Sequence, residues 1–195
     1  MKSAGLLILV LFYSVYLGKM LLQKHRGIQT DQIARGKRGR VFYIELVMKL
    51  ATYGAVLAEV LCIFTVKPCL PLGFRIAGAV LGFTGDAVFA LAVITMKDSW
   101  RAGIAEKDQT EMVTNGIYRL SRNPAFLGFD LVYAGMVLMF FHWALLAVSA
   151  FAGVMLHLQI LQEERFLATT FGPPYLDYKK QVRRYLGRSK GEDIA

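Results

Sequence analysis

Residues 125–162, AFLGFDLVYAGMVLMFFHWALLAVSAFAGVMLHLQILQ, read as two apolar runs, 125–141 and 143–162, joined only at His142-Trp143. A membrane-spanning helix needs roughly 20 residues. With no Gly or Pro at the join, the pair predicts a helical hairpin whose tip lies at one membrane interface. Three more runs precede it, at 4–22, 41–66 and 72–96. Their length excludes transmembrane barrel strands, which are shorter and alternate in polarity. The first run could be a signal peptide, but no small-residue cleavage site follows it, and a span is expected. The chain is 55% hydrophobic and 19% charged, with a mean hydropathy of +0.44. Soluble domains carry about 25% charged residues, and disorder needs high charge with low hydrophobicity. The expected fold is therefore all-α: an integral membrane protein of about five transmembrane helices, with a C-terminal hairpin and a small polar cap.

The net charge is +9, and its distribution sets an expected orientation. Loop 23–40 holds Lys24, Arg26, Arg35, Lys37, Arg38 and Arg40 against Asp31. Stretch 97–124 holds Lys97, Arg101, Lys107, Arg119 and Arg122, and the tail holds Arg165, Lys179, Lys180, Arg183, Arg184, Arg188 and Lys190. Five spans with the N-terminus outside bring all three segments to the cytoplasmic side, as the positive-inside rule requires. The expected setting is a bacterial inner membrane, with the basic segments facing anionic lipid headgroups. The aromatics lie mainly in the apolar runs, which argues against nucleic-acid binding. Cys62 and Cys69 make no metal-binding pattern, and no metal is expected.

Ionisable residues inside spans are costly and often functional. Glu45 and Lys49 share one helical face at i,i+4 and are expected to pair. Asp86, flanked by Gly82 and Gly85, reads as a packed, hydrogen-bonded interhelical residue, or as part of a polar cavity. Asp130 and His157 lie a short way inside the two hairpin runs and can face the cap.

Two polar-to-apolar junctions carry the remaining signal. The first runs Val113-Thr114-Asn115-Gly116-Ile117-Tyr118-Arg119-Leu120-Ser121-Arg122-Asn123-Pro124-Ala125-Phe126-Leu127-Gly128. Asn suits a helix N-cap and Pro the first helical position, so the segment opens a helix at the interface. Its free amides, with Arg122, can also meet an anionic group there. The second junction is Glu163-Glu164-Arg165, followed by Phe171-Gly172-Pro173-Pro174-Tyr175 and Tyr178. Twin carboxylates at a helix C-terminus oppose the helix dipole and call for a compensating cation: Arg122, Arg165 or a cationic ligand. Residues after Gly172 suit an amphipathic helix at a membrane surface.

Together these segments resemble the isoprenylcysteine carboxyl methyltransferase family, whose relatives include phospholipid methyltransferases. The family pattern runs Leu-Val-x-x-Gly-x-Tyr, Arg-His-Pro-x-Tyr, a helical hairpin, Glu-Glu and Phe-Gly-x-x-Tyr-x-x-Tyr. Here it is matched by Met112-Val113, Gly116, Tyr118, Arg122-Asn123-Pro124, Phe126, Glu163-Glu164, Phe171-Gly172, Tyr175 and Tyr178, over residues 98–186. The resemblance implies S-adenosylmethionine as cofactor, in a cytosolic pocket. Thr110, Glu111, Met112, Val113 and Tyr118 would line it. Arg122, Asn123, Pro124, Ala125 and Phe126 would close it at the helix start, and Glu163 or Glu164 would hold a polar group of the ligand. The implied acceptor is lipophilic and membrane-resident: a prenylcysteine-like carboxylate, a thiol or a lipid amine. It would enter sideways from the bilayer, past Asp130, His157 and Gln159. Asn123 stands where the family has histidine, Phe126 where it has tyrosine, and Gln159 where prenylcysteine methyltransferases have an arginine. Residues 1–96 then form an N-terminal three-helix region and 97–195 a methyltransferase-like region. An NADPH-dependent sterol-type reductase, using Arg119, Arg122, Arg183 and Arg184, and a non-enzymatic membrane subunit are the alternatives.

Overall fold

The computed structural model describes residues 1–104 and 111–188. Five apolar helices follow in order: α1 (Lys2–His25), α2 (Gly39–Thr65), α3 (Leu72–Met96), α4 (Pro124–Met139) and α5 (Trp143–Phe171). The short α6 (Pro173–Gln181) caps one end of the bundle. Helices α1, α2 and α5, and the span from α3 through Ser99, are long and apolar enough to cross a membrane. Helix α4 has 16 residues, about 24 Å at 1.5 Å per residue, and lies antiparallel against α3 for most of its length. No strand occurs among the described residues. The protein is an all-α integral membrane protein.

Local sequence accounts for the helix ends. Pro124 occupies the first turn of α4, where its missing N–H costs nothing. His142 caps α5 by accepting from Ala144 N through Nδ1 at 3.2 Å, and this forms the tight hairpin tip. Gly172 ends α5 at φ +59°, a left-handed conformation that glycine adopts without a Cβ penalty.

The α3–α4 seam depends on glycine. A Cβ at Gly78 would stand 2.6 Å from Gly135 O, and one at Gly85 would stand 2.7 Å from Gly128 O. Small residues bring helix backbones together where lipid gives no hydrophobic drive to associate. Asp86 is buried beside this seam. The sequence suggests a hydrogen-bonded residue there, yet neither of its carboxyl oxygens has a partner. Gly135→Ala would press a methyl to 2.6 Å from Gly78 O and 2.7 Å from Gly82 N, both backbone atoms. It should destabilise the bundle by about 1–3 kcal/mol, seen as a lower midpoint for unfolding in detergent. The control is Gly54→Ala, whose Cβ meets only Val148 Cγ1 at 3.9 Å. It should be neutral or slightly stabilising.

Aromatic packing centres the bundle. Phe12 stacks on Phe89 with ring centroids 4.3 Å apart and meets Phe129 edge-on at 4.6 Å. A second cluster of Met48, Ala51, Ala55, Tyr133, Ala152 and Leu156 joins α2, α4 and α5. A third, of Tyr175, Tyr178 and Val182, seats α6 against Met112, Leu167 and Phe171. On α2 the residues Leu50, Tyr53, Leu57, Leu61 and Phe64 point outward, at the spacing of one helical face turned to lipid.

The polar pairing differs from the local reading. Glu45 does not bond Lys49. It pairs with Lys37, and Lys49 pairs with Asp31 at 2.7 Å. Both cations and acids lie where the α1–α2 loop folds back over the helix end. An i,i+4 pair gains only about 0.2–0.5 kcal/mol, so partners offered by the loop prevail.

Candidate functional site

The loop before α2, the segment after α3, the 111–123 stretch and α6 all gather at one end of the bundle. Between the last three of these and α5 lies a cavity of about 120 Å³. Glu111, Met112, Val113 and Tyr118 line one side, Arg122, Asn123, Ala125 and Phe126 the start of α4, and Glu163, Leu167, Phe171, Tyr175 and Tyr178 the other side. Tyr178 OH donates to Tyr118 O at 2.7 Å, which holds two of the aromatic walls together. Burial raises the Tyr175 phenol to about 12 and pushes Tyr118 and Tyr178 up as well. All three therefore stay neutral through the physiological range.

The twin glutamates have opposite surroundings. Glu164 is 4% exposed and both of its oxygens are engaged. Arg122 Nη2 donates to Oε1 at 2.8 Å, Arg184 Nη2 to Oε2 at 2.9 Å and Asn123 Nδ2 to Oε1 at 3.2 Å. These hydrogen bonds raise the Arg184 guanidinium further above its usual range. Asn123 also donates to Arg184 O at 3.2 Å. Its side chain thus ties α4 to α5 and to the C-terminal segment, and does not cap α4 as its position suggests. Arg122 completes the tie by donating through Nη1 to Val182 O and Lys179 O. Arg122 and Arg184, two of the four arginines of the phosphate-binding reading, are thus committed to Glu164. The cation that the twin carboxylates call for is supplied at Glu164 by these arginines, while Arg165 is exposed. Glu163 is left facing the cavity. It has one hydrogen bond, from Gln159 Nε2 at 3.0 Å, and no ion pair among the described residues.

A second cavity, of about 200 Å³, adjoins the first. Its walls are mostly apolar and aromatic: Tyr13, Tyr16, Leu17 and Met20 of α1, Met48, Thr52 and Tyr53 of α2, Phe89 of α3, Phe126 and Phe129 of α4, and Leu156 of α5. Leu17 and Tyr53 are themselves exposed on the bundle surface, so this cavity reaches close to the surface where α1 and α2 meet. The two cavities share Trp100, Arg101, Ala125, Phe126 and Glu163.

The residues singled out from the sequence fall into distinct places. Glu111, Met112, Val113, Tyr118, Arg122, Asn123, Ala125 and Phe126 surround the smaller cavity, and Gln159 and Glu163 stand at the larger one. Thr110 lies outside the described residues. Pro124 is buried in the first turn of α4, and Glu164 is enclosed by its arginines. Asp130 and His157 line neither cavity. Instead, His157 Nδ1 is 2.6 Å from Tyr185 OH, with the rings stacked at 5.9 Å, on the side of the hairpin where the C-terminal segment docks. Sequence reasoning missed Trp100, Tyr13, Tyr16, Thr52 and Tyr53 as cavity residues. Each is a common interfacial or core residue with no motif around it, so only helix packing reveals it.

The helical membrane bundle thus places a polar, aromatic cavity beside a mostly apolar one. Residues 74–174 match the model of the family described as phospholipid methyltransferase, and the chain belongs to that family. It is also similar to two rice proteins, from Oryza sativa subspecies indica and japonica, each named "Probable protein-S-isoprenylcysteine O-methyltransferase". Identity to each is 33% over 110 residues, covering 54% of this chain and 56% of the relative. The chain therefore spans a little over half the length of these relatives.

Proposed function

We propose that this protein is a membrane methyltransferase that takes S-adenosylmethionine in the smaller cavity and methylates a lipophilic acceptor held in the larger one. The observation that carries this reading is the junction of the two cavities at Phe126 and Glu163. The donor set fits the cofactor. Glu163, a carboxylate with no ion pair among the described residues, stands at the cavity with Tyr118, Phe126, Phe171 and Tyr175, a setting that attracts a sulfonium or ammonium. The free amides at the start of α4 suit a carboxylate. When bound, S-adenosylmethionine supplies an electrophilic methyl group at a sulfonium centre. The protein contributes placement: Glu163 and the aromatic walls hold the cationic end at the junction, and Phe129, Phe89 and Leu156 exclude water from the acceptor side. Alignment of this kind supplies much of the rate in methyl transfer. Asn123 carries no basic group, so a thiolate, a carboxylate or a neutral amine suits the site as nucleophile.

In this reading the larger region, 97–195, supplies most of the cofactor site, and 1–96 supplies the α1–α2 side of the acceptor cavity. The distribution of Lys and Arg supports an outside N-terminus and cytoplasmic loops and tail. Exposed Cys69, in the loop between α2 and α3, then faces outward. An impermeant maleimide should label it in intact cells. In a Cys69→Ser background, Lys180→Cys should react only after permeabilisation. Labelling of Lys180→Cys in intact cells would reverse the orientation.

Calorimetry tests the cofactor reading. The purified protein should bind S-adenosylhomocysteine, and Glu163→Gln should weaken binding of S-adenosylmethionine by about tenfold or more. That corresponds to a lost charge-assisted hydrogen bond of about 1.5–3 kcal/mol. Wild-type affinity in Glu163→Gln would remove this residue from the site.

A further inference from the structure

Glu45 is fully buried on α2, and its carboxylate collects donors from three separate elements. Ala34 N at 2.6 Å and Lys37 Nζ at 2.7 Å come from the loop before α2, Ile104 N at 3.1 Å from the segment after α3, and Gln159 Nε2 at 3.2 Å from α5. The loop and the segment are also joined to each other. Gln32 N donates to Ala102 O at 2.8 Å, and Ala102 N donates to Thr30 O at 3.0 Å. Gly103, at φ +87°, lies so close that a Cβ there would stand 2.9 Å from Ile33 N. This paired strip carries Asp31, Ile33, Trp100 and Gly103, all of which line the larger cavity. It is a roof over the junction of the two cavities.

The Gln159 amide connects that roof to the site. Its Nε2 donates both to Glu45 Oε1 and to Glu163 Oε1, at 3.2 and 3.0 Å, while its Oε1 has no partner. Two carboxylates on one NH₂ group fix the orientation of the amide. Without the Glu45 carboxylate the amide loses one of its two acceptors, and Glu163 alone is left to hold its NH₂ group.

We propose that Glu45 is a positioning residue. It clasps the roof strip and, through Gln159, the Glu163 carboxylate into one unit, so that closure of the roof and presentation of Glu163 to a cationic ligand are coupled. The second half of this proposal rests on the reading of Glu163 as the ligand-facing carboxylate.

Two measurements on the full-length protein test it. The first needs no ligand: limited trypsin cleavage at Arg35 and Arg38, which are exposed on the roof loop. Gln159→Leu changes a residue of α5, distant in sequence from that loop. It should nevertheless raise the cleavage rate, by about tenfold if the roof opens locally. Cleavage at the wild-type rate would overturn the clasp, whatever the protein binds. The second is calorimetry with S-adenosylhomocysteine. Glu45→Gln and Gln159→Leu should each weaken binding about tenfold, and the double variant should be no weaker than either single one, because coupled residues are non-additive. Multiplying effects would overturn the coupling. Saturating S-adenosylhomocysteine should slow cleavage of the wild type and leave Gln159→Leu unprotected; equal protection of both would also overturn it. If the wild type binds no S-adenosylhomocysteine, the reading of Glu163 falls, while the cleavage arm still decides the clasp. Should Glu45→Gln fail to fold, Gln159→Leu alone decides it through the cleavage rate.

Discussion

Glu164→Ala should destabilise the protein by about 3–5 kcal/mol, the usual result of removing one partner from a buried ion pair. The side chains of Arg122 and Glu164 are 7% and 4% exposed, so the arginine cannot simply turn to water. Its loss of partner would also loosen the 118–124 turn, because Arg122 N donates to Arg183 O at 3.1 Å and Gly187 N to Leu120 O at 2.7 Å. The C-terminal segment, α4 and α5 are thus held at one carboxylate. In detergent, a large drop in the unfolding midpoint is expected, together with loss of S-adenosylhomocysteine binding. The neighbouring change, Glu163→Ala, should behave in the opposite sense. It should leave the midpoint close to wild type, since Glu163 has one hydrogen bond and no ion pair among the described residues, while weakening the ligand. Light-scattering melts of the two variants side by side decide the matter. Equal midpoints would mean that the arginine cluster does not hold this end of the bundle.

The second large effect concerns the acceptor. If it enters between α1 and α2, kcat/KM should climb with the length of its apolar chain. Each methylene buried against Tyr13, Phe89 and Phe129 contributes up to about 0.8 kcal/mol, close to fourfold in rate. Six added methylenes would then give up to about three orders of magnitude. Primary alkylamines, alkanethiols and N-acetyl-S-alkylcysteines of increasing length, assayed with radiolabelled S-adenosylmethionine, test the chain and the reactive group together. Thr52→Trp, which fills the wall of the larger cavity, should raise KM for the long members while leaving S-adenosylhomocysteine affinity unchanged. A flat series would exclude entry from the bilayer.

Much of this architecture is legible from local sequence. Hydropathy over 20-residue windows reports a membrane helix because the bilayer acts on each segment separately. The runs at 4–22, 41–66, 72–96 and 125–141 accordingly match α1 to α4 closely, and the run at 143–162 opens α5, which continues past Glu163 and Glu164 to Phe171. Pro124 and the His142-Trp143 join mark helix ends for similarly local reasons. The cluster from Glu111 to Phe126 with Glu163 was legible only through the resemblance of its motifs to a methyltransferase family; the structure brings these residues together around the smaller cavity.

The choice of partners was not. Glu45 bonds Gln159 across 114 residues, and Arg122 reaches Glu164 across 42. Nothing near Glu163 or Glu164 in the chain distinguishes them. Adjacent helical positions point about 100° apart, so one carboxylate meets two arginines and the other meets a cavity. Asp130 and His157 seemed, by depth alone, to suit an acceptor gap. In the structure His157 meets Tyr185 instead, and Asp130 lines neither cavity. The sequence by itself determined that this is a helical membrane protein with a polar end and a family-like set of residues there. Only the tertiary structure decided which polar groups neutralise one another and which face a cavity, because hydrogen-bond partners are selected by proximity in space after the helices have packed.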